Sequence, residues 1–229
     1  MSNSRIEIQR SLSTVPLFSH LNSEQLIRLA DGSDQIEAAR GTVVYRRGEP
    51  CTGLHIVVYG QLKLSLQTSR GDQMVVELVG PGTAFGEVSL FSARPHIVAA
   101  EALADSKLLH VAKAVLLAEL ERDSRFSSVL IASLADQLYR RLTEFEGYFL
   151  SSGTERVIGY LLRGENGNSA HNAEQITLPA TKGIIASRLN LTHEHFSRIL
   201  RELMTAGLIE VDGREVRILN KKRLFGYAG

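Results

Sequence analysis

Thr181 to Gly207 reads TKGIIASRLNLTHEHFSRILRELMTAG, and its pattern is that of two short helices joined by a tight turn. The first runs from about Lys182 to Leu189, with Ile184, Ile185 and Leu189 suited to one buried side. Asn190-Leu191 makes the turn, and Thr192 is placed to cap the second helix, because its hydroxyl accepts from a free amide of the next turn. The second helix carries Phe196, Ile199, Leu200 and Leu203 on one face at helical spacing. Gly207 stops it, as a glycine just past a helix end does. Its polar side opens with His193, Glu194, Ser197 and Arg198, in the first two turns, where a recognition helix touches base edges.

That polar set has a direct chemical meaning. Arginine donates two hydrogen bonds to guanine O6 and N7, glutamate accepts from the cytosine amino group, and serine bonds a base or a phosphate. The plain alternative is a solvated face on an ordinary helical hairpin. The next segment favours DNA. Leu208 to Leu219, LIEVDGREVRIL, has two strand-like runs around Asp212-Gly213, a strong hairpin signal. Two helices followed at once by a hairpin make a winged helix-turn-helix. Thr181 and Lys182 at its entry and Arg214 at the hairpin are further DNA contacts expected here. Arg217, Lys221, Lys222 and Arg223 add phosphate-seeking charge.

The 229 residues suffice for two modest domains. Net charge is +1, unevenly spread: residues 1–149 hold 15 Lys+Arg and 17 Asp+Glu, residues 150–229 hold 11 and 8. The basic end is the end with the helix pair, as a nucleic-acid partner requires. One cysteine, Cys51, excludes an internal disulfide and a multi-cysteine metal site. A cytoplasmic location fits, with neither a secretory leader nor an apolar run long enough to span a membrane.

Earlier in the chain, residues 5–31 read as helix, with a cap signal at Asn22-Ser23-Glu24. Residues 36–112 change character, and short apolar runs alternate with glycine turns. Strands are expected at Val43-Tyr45, Leu54-Tyr59, Leu62-Leu66, Met74-Val79, Ile97-Ala102 and Leu108-Val111, and they suggest a sandwich, barrel or jelly roll. Leu62 to Leu66 alternates as a strand with one wet face does. Pro81 to Phe91, PGTAFGEVSLF, departs from this pattern and suits either a small ligand cradle or a turn closing the roll. A short helix covers Ala114 to Glu121, and a long one runs from about Ser124 to Phe149. Along the long helix Ile131, Leu134, Leu138, Arg141, Phe145 and Tyr148 are spaced 3, 4, 3, 4, 3, the rhythm of a coiled-coil seam. Homodimerisation through Ile131, Leu134, Leu138, Phe145 and Tyr148 is expected. Ser151-Ser152-Gly153 reads as a hinge and Thr154 as the next cap. The domains expected are a β-roll over 1–123, a dimerisation helix over 124–150 and a winged helix-turn-helix over 151–229, an α+β chain.

This order of parts resembles the cyclic AMP receptor protein / fumarate-nitrate regulator (CRP/FNR) family over nearly the whole chain. Gly48-Glu49, Gly60, Pro81 to Glu87 and Glu194-His195-Phe196-Ser197-Arg198 carry the resemblance. HFSRIL with DGREVRIL is most similar to the dissimilatory nitrate respiration regulator subgroup. The resemblance implies that Glu194, Ser197 and Arg198 read a TTGAT-like half-site, two half-sites lying about one helical turn (~34 Å) apart. It implies RNA polymerase as a partner and a small-molecule effector bound around Phe85, Gly86, Glu87, His96, Arg141 and Leu142. Where the cyclic AMP branch places an Arg-Ser pair on the phosphate, this sequence is matched at His96-Ile97, so cyclic AMP is not the expected effector. A four-iron cluster is excluded by the single cysteine. Haem, another gas-sensing group or an unknown small-molecule effector remains, and for haem His96 is the candidate axial ligand ahead of His20, His55, His110, His171, His193 and His195. The competing class is a cupin-like jelly-roll enzyme, which needs two histidines and a carboxylate converging in the roll. His55, His96 and His110 lack the close spacing such sites show, and the regulator is the reading kept.

Overall fold

The computed structural model describes residues 3–67, 73–150, 152–163 and 175–227, without the side chains of 3, 4, 140, 144–150 and 163. The chain divides into two compact units, Met1–Leu138 and Tyr139–Gly229, with the boundary inside one helix.

The first unit begins with α1 (Asn3–Ser13), a 3-10 turn at Pro16–Phe18 and α2 (Ser23–Asp31). Asn22 caps α2 reciprocally: its side chain accepts from the Gln25 amide, and the Gln25 side chain accepts from the Asn22 amide. Eight strands follow: β1 (Ser33–Ala38), β2 (Val43–Tyr45), β3 (Gly53–Tyr59), β4 (Leu62–Gln67), β5 (Gln73–Val79), β6 (Ala84–Phe85), β7 (Ala99–Ala102) and β8 (Ser106–Ala112), with α3 (Glu87–Ser92) between β6 and β7. They form two four-stranded antiparallel sheets, in the orders β1-β8-β3-β6 and β2-β7-β4-β5. Each strand gives at least one buried side chain to the space between the sheets, among them Ala38, Tyr45, Val57, Leu62, Val79, Phe85, Ala100 and Leu108. A second core lies outside the first sheet, where Leu54, Ile56, Leu109 and Val111 meet the N-terminal helices. Both faces of that sheet are covered, which is why β3 is buried continuously from Gly53 to Val57, His55 included.

Then come α4 (Lys113–Arg122) and the long α5 (Ser124–Leu150). Phe126 anchors the start of α5 in the second core, its ring 5.9 Å from that of Phe18. Burying such a side chain is worth about 1.5–3 kcal/mol. A polar clamp joins the same elements. Glu119, with its side chain 1% exposed, accepts two bonds from Arg28 and one from Arg122. The Gln25 side-chain nitrogen donates to Asp123 at 2.7 Å, and Asp123 accepts from the Arg125 backbone amide in the first turn of α5.

The second unit holds the end of α5 and α6 (Gly153–Arg163), β9 (Gln175–Thr177), α7 (Lys182–Arg188), α8 (His193–Thr205), β10 (Ile209–Asp212), β11 (Glu215–Ile218) and α9 (Lys221–Phe225). Its sheet is antiparallel in the order β10-β11-β9. α8 ends in a Schellman arrangement: Gly207 at φ 65° donates to Met204 and Leu208 donates to Leu203.

Several local expectations change. The alternation in β4 stops at Leu64/Ser65, where the partner β5 carries one extra residue; Leu64 faces Glu77 but Ser65 faces Val75, and Ser65 is buried. The wing turns at Gly213-Arg214, because Asp212 already pairs with Glu215. In the first helix of the pair Ala186 is buried beside Ile185 and Leu189, and Ile184 is half-buried. α6 is capped by Ser152, whose hydroxyl accepts from the Glu155 amide while Glu155 accepts from the Ser152 amide. The Thr154 cap is thus displaced by two residues, because Glu155 sits three past Ser152 and completes the box. Ser151 and residues 164–174 lie outside the described residues, as do the side chains of Phe145 and Tyr148.

Candidate nucleic-acid interface and effector region

α8 is two-sided. Phe196, Ile199, Leu200 and Leu203 are buried, while His193, Glu194, Arg198, Arg201 and Glu202 are exposed and Ser197 is half-buried. The Thr192 side chain accepts from the His195 amide at 3.2 Å. Bonds from its own backbone N–H and from the Thr192 hydroxyl hold the Glu194 carboxyl below its usual range, with His193 adding to the effect. Glu194 is therefore engaged with the helix start in this conformation. Arg198 is 66% exposed, with its Nε 3.9 Å from Glu202 Oε1. Thr181 caps α7 by position, without a side-chain bond, and stands exposed beside half-buried Lys182. Exposed Arg214 is at the wing tip, where its carbonyl accepts from the Leu178 amide at 2.8 Å and ties the tip to the end of β9. Arg217 faces Glu210 across the wing at 3.6 Å.

One further residue of this face is not among those expected from the sequence. Arg201 is exposed on α8 and borders an open depression with Arg198, Glu202, Thr205 and Tyr227. Its signal is its place three residues past Arg198, one helical turn further along the same side.

On α5, Ile131, Leu138 and Leu142 are 66%, 61% and 60% exposed, and Leu134 is half-buried. Tyr139, which the 3-4 spacing does not include, is exposed beside them. Arg141 is half-buried on the same helix.

Inside the roll the residues expected around an effector take unlike positions. Phe85 is buried, and Gly86, at φ 96°, precedes α3 in a left-handed conformation that glycine adopts freely. Glu87 opens α3, and its charge is felt at Tyr45. His96 is held by backbone bonds to the turn at 48–49: its N–H donates to Glu49 and its carbonyl accepts from Gly48. The His96 ring lies flat on Tyr45, with centroids 3.7 Å apart and planes 10° apart. His55 stacks on Phe85 at 5.3 Å and tilts against His110 at 4.9 Å. Burial, and then the neighbouring His110 and His96, push the His55 imidazole down to about 3. Burial also lowers His96 against the pull of Glu49, lowers His110 against that of Asp34, and raises the Tyr45 phenol and the Cys51 thiol. The buried His55 Nδ1 has no hydrogen-bond partner among the described residues.

β3 and β8 thus bring together histidines 55 residues apart in sequence, directly opposite in register. Among the described residues no group of three or more His, Cys, Asp or Glu is arranged to hold a metal ion. His96, buried and stacked on Tyr45, does not present an open imidazole to a haem. Arg94, exposed two residues earlier, is a cation that the match at His96-Ile97 passes over. Among the described residues no helix is long and apolar enough to cross a membrane.

Residues 35–123 match the cyclic nucleotide-binding domain and residues 155–226 the Crp-like helix-turn-helix domain. FixK2 from Bradyrhizobium japonicum is 26% identical, with 85% of this chain and 96% of that one covered and a TM-score of 0.72. DNR from Pseudomonas aeruginosa is 30% identical over the whole of both chains, with a TM-score of 0.54. A CRP-like cAMP-activated global transcriptional regulator of Mycobacterium tuberculosis is 23% identical over 215 residues, 93% of this chain and 96% of the relative. With a nucleotide-binding-type roll ahead of an exposed recognition helix and its wing, the chain belongs to the CRP/FNR family of DNA-binding transcription regulators.

Proposed function

We propose that the chain acts in the cytoplasm as an effector-gated homodimer that reads a TTGAT-like palindrome and works with RNA polymerase. The observation that carries this reading is the polar side of α8, with Glu194 and Arg198 exposed and Ser197 half-buried, opposite a fully buried apolar side. Thr181, Lys182, Thr192, His193 and Arg214 surround that side as backbone and flanking contacts. The 30% identity with DNR over the whole chain supports the nitrate respiration regulator subgroup. The functional division is a sensing roll over 1–123, a pairing helix over 124–150 and a reading domain over 151–229. The effector site is centred on Phe85, Gly86, Glu87 and His96 of the roll. A small molecule other than cyclic AMP occupies it, because the Tyr45, His55, Phe85 and His96 rings fill space beside Gly86.

The test is a pair of variants on a TTGAT palindrome. Losing one bidentate base contact costs about 1–3 kcal/mol per half-site. Arg198→Ala weakens palindrome binding and leaves non-specific binding nearly unchanged. Lys182→Ala, which removes a phosphate contact, weakens both alike. Arg198→Ala binding the palindrome as tightly as the wild type would refute the assignment of α8.

A further inference from the structure

The start of the recognition helix rests on the start of α6. A methyl placed on Gly153 would lie 3.1 Å from Leu191 Cδ2, 3.2 Å from His195 Cε1 and 3.3 Å from His195 Nε2. The imidazole and the turn leucine therefore close directly over the Gly153 backbone. On the opposite side a methyl on Gly183 would lie 3.8 Å from His193 Cδ2, in ordinary contact. Neither partner of the His195 contact is loose. Gly153 follows Ser152, which is locked to Glu155 by two reciprocal bonds, and the Arg156 amide bonds the Ser152 carbonyl. His195 supplies the amide that the Thr192 side chain caps, and the turn leucine bonds back to Ala186 of α7. Glu194 lies between the two histidines, and α6 begins three residues after α5 ends.

We infer that His195 is a positioning residue: its ring seats the first turn of α8 on Gly153 and so fixes where Glu194, Ser197 and Arg198 stand. It does this from the helix flank, without touching a base. Gly153 is then set by contact, since its missing side chain is what lets the imidazole in. Alanine near a helix start favours the helix in its own right, so a loss of reading in Gly153→Ala cannot be ascribed to a weaker α6.

The experiment is a double-mutant cycle on the full chain, using a duplex selected by the wild type from a random pool; this affinity arm rests on the DNA-reading proposal. Gly153→Ala lowers the ratio of specific to non-specific affinity by about 2- to 150-fold, the range for coupled neighbours. His195→Ala alone lowers the ratio to a similar degree, because α8 loses its seat, and adding it to Gly153→Ala costs little more, since the methyl has already unseated the ring. Strictly additive losses, as a direct base contact by His195 gives, would overturn the inference, and so would equal losses on specific and non-specific DNA. A second arm needs no DNA. Amide exchange at position 195 speeds up in Gly153→Ala and in His195→Ala, and no further in the double variant; unchanged exchange also overturns the inference. A wild type that selects no sequence refutes the DNA reading alone, and the exchange arm then still decides the role of His195.

Discussion

Leu138→Glu is the sharpest probe of the pairing helix. Leu138 is 61% exposed in the single chain, between Ile131 and Leu142, which are exposed to a similar degree. Full burial of a leucine is worth about 1.5–3 kcal/mol, so the exposed three-fifths corresponds to roughly 1–2 kcal/mol per subunit. Two subunits lose roughly 2–4 kcal/mol, which at 1.4 kcal/mol per decade weakens the dimer by roughly 30- to 700-fold. Two carboxylates facing each other across a symmetric seam weaken it further, more so at low salt. Glutamate and leucine have similar helix propensities, so far-ultraviolet circular dichroism should barely change. Sedimentation velocity across a concentration series reads the result. A wild type that is monomeric at micromolar concentration would sink the argument, and so would a Leu138→Glu dimer within twofold of the wild type.

Three further outcomes concern the roll and its clamp. Bonds from Arg28 first and then Arg122 hold the Glu119 carboxyl below its ordinary value, so its contribution is present above the unfolded carboxylate pKa and is lost as pH falls through the folded one. Glu119→Gln should cost about 1–3 kcal/mol near neutrality, at the modest end because both arginines are partly solvated; urea midpoints that match the wild type at pH 7 would argue against the clamp. His55 is lowered to about 3 and stays neutral in the fold, so the unfolded chain takes up the proton first. Stability therefore falls between about pH 6.5 and 3, by up to about 1.4 kcal/mol per pH unit, and a His55→Phe variant with the same pH slope as the wild type would contradict this. Calorimetry with cyclic AMP should show no binding, and micromolar affinity would overturn the argument from the packed rings around Gly86.

The recognition helix is legible because each of its signals is local. Thr192 caps within three residues, Gly207 stops the helix within one, and the apolar spacing lies inside a single element. The features hidden from a sequence reading depend on pairing across the chain. β1, SDQIEA, is mostly polar and lies at a sheet edge, where β8 supplies the partner amides and carbonyls and little apolar side chain is needed. β9 is three residues long and exists through β11. The contact of His55 with His110 is created by strand register, which no spacing rule reveals. The wing turn lies one residue further on because Asp212 pairs with Glu215, leaving Gly213 as the first turn residue. At the candidate site Glu194, Ser197 and Arg198 are readable, but the roles of Gly153 and His195 arise from contact between two helices.

Gln25 serves two joints at once. Its oxygen closes the cap of α2 while its amide nitrogen holds Asp123, 98 residues away, and Asp123 in turn receives the first-turn amide of α5. The roll is thus bracketed by segments that precede residue 35, where the nucleotide-binding likeness begins. Excision at that boundary would deprive Glu119 of Arg28 and Phe126 of Phe18, and leave α5 emerging from a sheet stripped of its outer packing. The smallest portable sensor is accordingly a unit that keeps both N-terminal helices, and grafts of the roll onto other output modules must carry them.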